Sequence, residues 1–206
     1  MKKTNWTYLV ALVVTLSVAA AGCAKKEQAE AADNDTAPAE APPAEAPDTA
    51  VEAGEITNAV ARLALGADRV DAGSIMFSQE SDGVKIVAHI VGAPPGTHGL
   101  HIHEIGDCSS DDFKSAGGHF NPTAAAHGAP EDAERHAGDL GNIEIGEDGS
   151  GHLELMSDML SLGEGENSVI GRGVILHAKA DDLVSQPTGA AGARLACGVV
   201  VAEEGV

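Results

Sequence analysis

The sequence predicts an all-β domain with two long functional loops, over about residues 55–206. Apolar and polar residues alternate in several short runs, as they do in half-buried strands. Turn residues separate these runs. No long stretch after Ile56 has apolar residues at helical spacing. We therefore expect strands to form the core of a single domain.

Two hairpins are expected. Residues 74–79 and 84–91 flank the turn residues Ser81, Asp82 and Gly83, and residues 142–145 and 152–155 flank a second turn. Further strands are expected at 57–63, 100–104, 169–177 and 195–201. The segments 106–141 and 179–192, rich in Gly, Pro, Asp and Ala, are interpreted as loops. Loops of this length are uncommon unless something such as a metal or a disulfide fixes them.

The first 54 residues differ from the rest. Residues 1–22 begin with Met1-Lys2-Lys3 and continue into an apolar run at 9–21, which is typical of an export signal and is too short to span a bilayer comfortably. The end of this segment resembles a bacterial lipoprotein signal, in which Cys23 is lipidated. The alternative is an ordinary signal peptide that is cut nearby, with Cys23 discarded. We expect an exported lipoprotein, anchored to a membrane in the periplasm or at the cell surface.

Residues 23–54 consist mainly of Ala, Glu, Pro and Asp. Such a segment cannot bury enough apolar surface to fold, so we expect a disordered acidic linker that carries the lipid anchor. The domain from residue 55 has eight basic and twenty-four acidic residues. Nucleic acid is excluded as a partner for so acidic a surface.

The cysteine count agrees with lipidation. Three cysteines in an exported chain leave an odd one unless one is modified. If Cys23 carries lipid, Cys108 and Cys197 have one pairing available to them in an oxidising compartment. Closing a loop of nearly ninety residues would stabilise the fold by about 4–5 kcal/mol.

Six of the nine histidines lie between residues 96 and 142. His101 and His103 are separated by one residue in an extended run, so both project from one face, about 7 Å apart along the chain. Two imidazoles in this arrangement can bind one ion. With His119 and the distant His177 they give four nitrogen ligands, which suit copper that cycles between two oxidation states.

A second ligand set follows in the same stretch. It supplies three nitrogens and one carboxylate oxygen, from His119, His127, His136 and Asp139. Such a closed tetrahedral set is typical of a structural zinc site.

The motifs that contain these residues resemble those of the copper/zinc superoxide dismutase family, in its bacterial, lipoprotein-type form, over about residues 56–202. The motifs are GLHIHE at 99–104, GGHFNP at 117–122, HG at 127–128, RHAGDLGN at 135–142, IGRG at 170–173, HAKADD at 177–182 and GARLACG at 192–198.

The resemblance implies a Greek-key β-barrel or sandwich that binds one copper and one zinc ion per chain. It implies that His101, His103, His119 and His177 bind copper, and that His119, His127, His136 and Asp139 bind zinc. His119 would bridge the two ions. Asp181 would join a copper histidine to a zinc histidine, Cys108 would pair with Cys197, and Arg194 would hold the substrate anion beside copper.

The implied function is dismutation of superoxide to oxygen and hydrogen peroxide by a copper redox cycle, with His119 and Arg194 as catalytic residues. Export implies protection of the cell envelope from extracytoplasmic superoxide. The alternative is a membrane-tethered copper or zinc binding or storage protein, which would need neither the shared histidine nor Arg194. A homodimer is left open.

Some residues depart from the family pattern or lie outside it. The loop from Asp182 to Arg194 has no lysine to attract superoxide, so we expect Lys114 to take this role. We interpret His98 as a structural, hydrogen-bonded histidine, and His89 and His152 as ordinary strand or turn histidines. Met76, Met156 and Met159 are expected in the core rather than as ligands.

Overall fold

The computed structural model of this chain describes residues 55–203. The predicted signal peptide, Cys23 and the predicted linker lie outside the described residues. The described part contains one short 3-10 helix, Lys114–Ala116, and eight strands: β1 Asn58–Leu65, β2 Val70–Glu80, β3 Gly83–Ile90, β4 Gly96–His103, β5 Asp139–Ile145, β6 Gly151–Ser157, β7 Gly173–His177 and β8 Arg194–Ala202. Within it, no helix is long and apolar enough to span a membrane.

The strands close into one barrel in the order β1-β2-β3-β6-β5-β4-β7-β8. Every neighbouring pair is antiparallel. Three neighbouring pairs join strands that are not consecutive in the chain: β3 with β6, β4 with β7, and β1 with β8, which closes the barrel. The first two arise from Greek-key connections. The predicted all-β Greek-key barrel is confirmed.

The first predicted hairpin is also confirmed. β2 pairs with β3 from Gly73↔Ile90 to Glu80↔Gly83, so only Ser81 and Asp82 form the turn. Gly83 has φ +141°, and a Cβ atom there would lie 2.1 Å from the backbone oxygen of Ser157. A side chain at this position would collide with the neighbouring strand β6, which ends at Ser157, so glycine is required.

The second predicted hairpin is only partly correct. β5 and β6 are joined by a turn, but they pair at a single position, Ile145↔Gly151. β6 instead pairs along its whole length with β3, from Val84↔Ser157 to Ile90↔Gly151. The strand expected at 169–177 begins only at Gly173, because Arg172 closes a turn onto Val169.

Alternation places one face of each strand inside the barrel. Ile75 and Phe77 on β2 and Ile86 and Ala88 on β3 are fully buried. Burying each large apolar side chain contributes about 1.5–3 kcal/mol, so this interior supplies most of the stability. Met76 alternates with Ile75 and Phe77 and faces outward, as Met156 does on β6, so the expectation that these two methionines lie in the core is wrong. Met159 packs against the core, as expected.

β4 is buried on both of its faces. Leu100 and Ile102 point into the barrel and belong to the main apolar cluster. His101 and His103 point the other way, yet neither side chain is accessible to solvent. The long loops between β4 and β5 and between β7 and β8 cover this outer face, so a site forms between the barrel wall and the loops.

A disulfide between Cys108 and Cys197 fixes the first loop to β8. The two Cα atoms lie 5.8 Å apart. Cys197, Phe113, Ala116 and Ile175 form a small second apolar cluster under this loop. The predicted disulfide is therefore present, and it fixes part of the cover over the buried face of β4.

Candidate metal centre

Four histidines from separate parts of the chain meet on the outer face of the barrel. His101 and His103 alternate on β4, and His177 ends the neighbouring strand β7. His119 comes from the first long loop and pairs with His103 in an isolated antiparallel bridge. Each imidazole offers one nitrogen, and these four nitrogens all lie within 4.8 Å of one another. The cluster is a compact all-nitrogen ligand set.

Asp139, the first residue of β5, organises a second group beside the first. Its Oδ1 atom lies 2.8 Å from His119 Nδ1, 3.0 Å from His127 Nδ1 and 3.1 Å from His136 Nδ1. Its Oδ2 atom accepts hydrogen bonds from the backbone N–H groups of Gly128 and His136. The carboxylate is thus held so that one oxygen and three imidazole nitrogens converge.

His119 belongs to both groups, and its two ring nitrogens serve different ones. Its Nδ1 atom faces Asp139 and lies 3.4 Å from His136 Nδ1. Its ring lies 4.0 Å from that of His101 and 5.1 Å from that of His103, measured between centroids. The imidazole of His119 is therefore shared by the all-nitrogen group and by the mixed nitrogen and oxygen group.

Within residues 55–203, three buried ring nitrogens have no hydrogen-bond partner: His101 Nδ1, His119 Nε2 and His127 Nδ1. His127 Nδ1 is close to Asp139 Oδ1 but lacks hydrogen-bond geometry. Buried polar atoms nearly always find a partner, so three such atoms in two adjoining clusters need one. Metal ions on each side of His119 would satisfy all three, and the residues therefore fit two metals.

Asp181 joins the two groups from behind. His101 Nε2 lies 2.7 Å from one carboxylate oxygen, and His127 Nε2 lies 2.9 Å from the other. Because the Nε2 atoms donate to Asp181, the lone pair of each ring is on Nδ1, which is the nitrogen that faces the proposed ion. Asp181 is itself held by Asn142, whose side chain accepts from the backbone N–H of Asp181 and donates to its carbonyl.

Burial keeps three histidines of the all-nitrogen group, His101, His103 and His177, neutral. It lowers the pKa of His101 to about 4, of His103 to about 2 and of His177 to about 3. Nearby positive charge adds to this effect: that of His119 lowers the pKa of all three, and that of Arg194 lowers the pKa of His103 and His177. At neutral pH their lone pairs are free to bind a cation.

The two carboxylates of the centre stay ionised although they are buried. Burial alone raises the pKa of Asp139, but hydrogen bonds from His119 and Gly128 outweigh it and bring the pKa to about 2. Burial likewise raises the pKa of Asp181, and hydrogen bonds from His101 and His127 lower it below its ordinary value. Two fixed negative charges beside neutral imidazoles favour binding of cations.

Arg194 lies at the edge of the all-nitrogen group. Its guanidinium donates to the carbonyl oxygens of Phe113, at 2.6 Å, and Gly117, at 2.5 Å. Gly117 also accepts a hydrogen bond from His103 Nδ1, so Arg194 and His103 are held by the same loop carbonyl. Burial lowers the pKa of Arg194, which stays protonated in water because guanidinium loses its proton only at very high pH.

A cavity of about 330 Å³ opens beside Arg194, with walls from Asp112, Lys114, Gly192 and Ala193. Lys114 is the other basic side chain in its wall, and its Nζ atom lies 2.7 Å from the carboxylate of Asp112. Lys114 therefore lies in the cavity wall beside Arg194, where a cation could attract superoxide, but Asp112 offsets part of its charge.

His98 does not join either ligand group. Its Nδ1 atom lies 2.8 Å from the carbonyl oxygen of His177 and its Nε2 atom 2.9 Å from that of Pro94. Both ring nitrogens are thus occupied by backbone oxygens. His98 connects the β4 strand to the end of β7, as expected for a structural histidine.

Sequence reasoning missed the side chains that hold the second loop against the centre. The amide of Gln186 accepts from the backbone N–H of His127 at 2.8 Å and donates to its carbonyl at 2.9 Å. Gly189 approaches so closely that a Cβ atom there would lie 1.7 Å from Asp181 Oδ1 and 2.6 Å from His127 Nε2. No local sequence pattern marks Gln186, because its partner His127 lies more than fifty residues away in the chain.

An antiparallel Greek-key barrel with two buried ligand groups that share one histidine fits a protein that binds two metal ions side by side. The comparison with known families agrees: the family described as copper/zinc superoxide dismutase matches residues 71–200. The chain therefore belongs to the copper/zinc superoxide dismutase family.

Two solved structures are similar over most of the described part. The clock protein EA4 is 42% identical, with a TM-score of 0.65, over 72% of this chain and 96% of that chain. A double mutant of a SOD-like protein from Bacillus subtilis is 36% identical, with a TM-score of 0.64, over 69% of this chain and 96% of that chain. At these identities the likeness extends to sequence as well as fold.

Proposed function

We propose that this chain is a copper and zinc enzyme that dismutates superoxide. Two superoxide anions and two protons give one molecule of oxygen and one of hydrogen peroxide. The observation that supports the proposal most is His119, which faces both ligand groups. Storage of metal needs ligands, but it does not need two ions joined by one imidazole.

Copper would be held by the all-nitrogen group, which comprises His101, His103, His119 and His177. Zinc would be held by the mixed group, which comprises His119, His127, His136 and Asp139. Nitrogen ligands suit copper in both oxidation states, and a closed set of three imidazoles and a carboxylate suits zinc. When bound, copper supplies the one-electron oxidation and reduction of superoxide.

The proton chemistry is proposed to belong to His119. Its Nδ1 atom is fixed by Asp139 at 2.8 Å, which holds the ring in one orientation. Its Nε2 atom is buried and has no hydrogen-bond partner in the described part of the chain, so it can hold a proton inside the site. A proton kept there can be delivered to the reduced oxygen species without water having to enter the site.

The substrate anion is proposed to bind at Arg194. The guanidinium is half-buried, is held by two backbone carbonyls and lines the cavity. Arg194 pairs with His177 between β7 and β8, and it shares the Gly117 carbonyl with His103. A charge-assisted contact there orients a small anion against the all-nitrogen group. Lys114, in the same cavity wall, would draw superoxide towards Arg194 across an otherwise acidic surface.

The test is to load the whole chain with copper and zinc, count each metal per chain and measure superoxide removal. The proposal predicts one copper and one zinc in the buried centre and catalytic removal that depends on copper. Two bound ions without catalysis would support the alternative, a copper or zinc binding or storage protein. We keep this alternative because the two similar solved structures are those of a clock protein and of a SOD-like protein.

We further propose that the enzyme acts outside the cytoplasm, held by lipid on Cys23, and protects the envelope. The support is the sequence of residues 1–23 and the linker composition. A superoxide anion crosses hydrocarbon poorly because its desolvation is costly, so substrate formed outside must be removed outside. In cell fractionation, Cys23→Ala should move the chain from the membrane fraction to a soluble one; an unchanged distribution would contradict lipidation.

A further inference from the structure

A second pair of histidines faces solvent on the side of the barrel away from the metal centre. His89 on β3 and His152 on β6 are directly opposite each other in the antiparallel ladder, and both are exposed. Their rings lie 4.7 Å apart between centroids, with planes inclined by 37°. The two Nδ1 atoms face each other at 3.3 Å.

This separation matches the spacing of two ligands on one metal ion. Zinc–imidazole bonds of about 2.0–2.1 Å at a tetrahedral angle place the two nitrogens about 3.3–3.4 Å apart. A square-planar copper ion needs them at about 2.9 Å, which exposed rings reach by a small rotation of each side chain. At 3.3 Å the two Nδ1 atoms share a hydrogen bond, so one of them carries a proton. When that proton moves to Nε2 of its ring, the pair presents two lone pairs at the distance that a divalent first-row transition metal requires.

The backbone holds the two rings in place before any ion arrives. The ladder continues on both sides of the pair, through Ile90↔Gly151 and Ala88↔Leu153. Because both residues lie within paired strands, binding orders only the two side chains, and the entropic cost is small.

The electrostatic surroundings also favour a cation. Glu154 lies on the same face as His152, two residues further along β6. Its hydrogen bond with Lys85 lowers its pKa, so its carboxylate is ionised, but Lys85 Nζ at 2.8 Å offsets its charge. The chain as a whole has a net charge of −20, which raises the local concentration of cations.

We propose that His89 and His152 form an exposed metal site that binds a divalent first-row transition metal, Cu²⁺ most tightly, with water as the remaining ligands. It is separate from the buried centre, since β5 lies between β6 and the histidines of β4. The site does not depend on the proposed dismutase activity. It gives the chain a third place for metal, so the metal content of the whole protein should exceed two ions when copper is in excess.

The test compares the whole chain, with its buried centre already loaded, to the variant H89N/H152N in the same state. In equilibrium dialysis against Cu²⁺, the unsubstituted chain should take up one more copper ion than the variant. Each single His→Asn substitution should weaken this extra binding at least tenfold. The spectrum of the extra copper in electron paramagnetic resonance should show splitting from two nitrogens. Equal uptake by both proteins, or a spectrum with oxygen ligands alone, would overturn the proposal.

A measurement on the unsubstituted chain makes the test independent of the variants. Addition of substoichiometric Cu²⁺ to the loaded, ¹⁵N-labelled protein should first broaden the amide resonances of His89 and His152 and of their neighbours Ala88, Ile90, Gly151 and Leu153. Broadening that begins elsewhere, for example around Asp111 and Asp112, would refute the assignment and would place the first added copper on the acidic surface.

Discussion

Asp181→Asn should separate the metal-binding role of this residue from a general effect of charge. Asp181 uses one oxygen for His101 Nε2, at 2.7 Å, and the other for His127 Nε2, at 2.9 Å. Asparagine keeps the shape but has one oxygen and one NH₂ group, so it can accept from only one histidine. The other histidine must then move its proton to Nδ1, the nitrogen that faces the proposed ion.

The magnitude follows from this change of tautomer. Loss of a carboxylate partner behind a histidine ligand costs about 10- to 100-fold in metal affinity, or about 1.4–2.7 kcal/mol. Only one of the two rings, that of His101 or that of His127, can lose its hydrogen-bond acceptor completely. The affinity for one metal should therefore fall by this factor, and the affinity for the other much less. Because both rings lie deep in the centre, water cannot replace the missing acceptor.

Competition of the loaded protein with a chelator, followed separately for copper and zinc, measures both affinities. Asp182→Asn is the matched control, because it removes the same charge one residue away. Asp182 is exposed, and among the described residues its side chain accepts hydrogen bonds only from Val184 and Ser185. Unchanged affinity for both metals in Asp181→Asn, or an equal loss in Asp182→Asn, would refute the reasoning.

Four further changes test other parts of the structure. Arg194→Ala should keep both metals but lower the rate of superoxide removal roughly 10- to 100-fold, as expected for about 1.5–3 kcal/mol of lost charge-assisted hydrogen bonding; loss of metal in elemental analysis would mean that its role is structural. Lys114→Glu should slow turnover and flatten its salt dependence, and Asp112→Asn, which frees Lys114 from its partner, should speed it; equal rates for both variants in low salt would contradict a role in attracting substrate. Replacing both Cys108 and Cys197 with serine should lower the free energy of unfolding by about 4–5 kcal/mol in denaturant titrations, because the bond closes a loop of 89 residues; a loss below about 1 kcal/mol would argue against it. In the metal-free chain, the free energy of unfolding should fall as the pH falls from about 6.5 towards 4. Unfolded histidines bind protons in this range, whereas the folded His101, His103 and His177 do not, because their pKa values are about 4, 2 and 3. The slope is up to about 1.4 kcal/mol per pH unit for each histidine, and equal stability at pH 7 and pH 5 would contradict their burial.

Local alternation made most of the barrel predictable. β2 and β3 were expected close to their observed positions, because Ile75, Phe77, Ile86 and Ala88 alternate with polar or exposed residues and a short turn separates the two strands. The ligand residues were predictable for a related reason: His101 and His103 alternate on one strand, and the remaining ligands fall within recognisable motifs.

Pairing between distant strands was not predictable. β6 pairs with β3 across more than sixty residues, whereas the sequence favoured its neighbour β5. The same pairing brings His152 opposite His89, which is why two histidines interpreted as ordinary turned out to be a pair. The hydrogen bonds between the Gln186 amide and His127 were not predictable for the same reason, because only the folded loops bring the two residues together.

The most direct test of the account is to count products and turnovers. The copper- and zinc-loaded chain should consume many equivalents of superoxide per copper and release oxygen and hydrogen peroxide in equal amounts, while the same chain with zinc alone should be inactive. Consumption that stops at about one equivalent of superoxide per copper, as expected for a protein that only binds the metal, would contradict the proposed function.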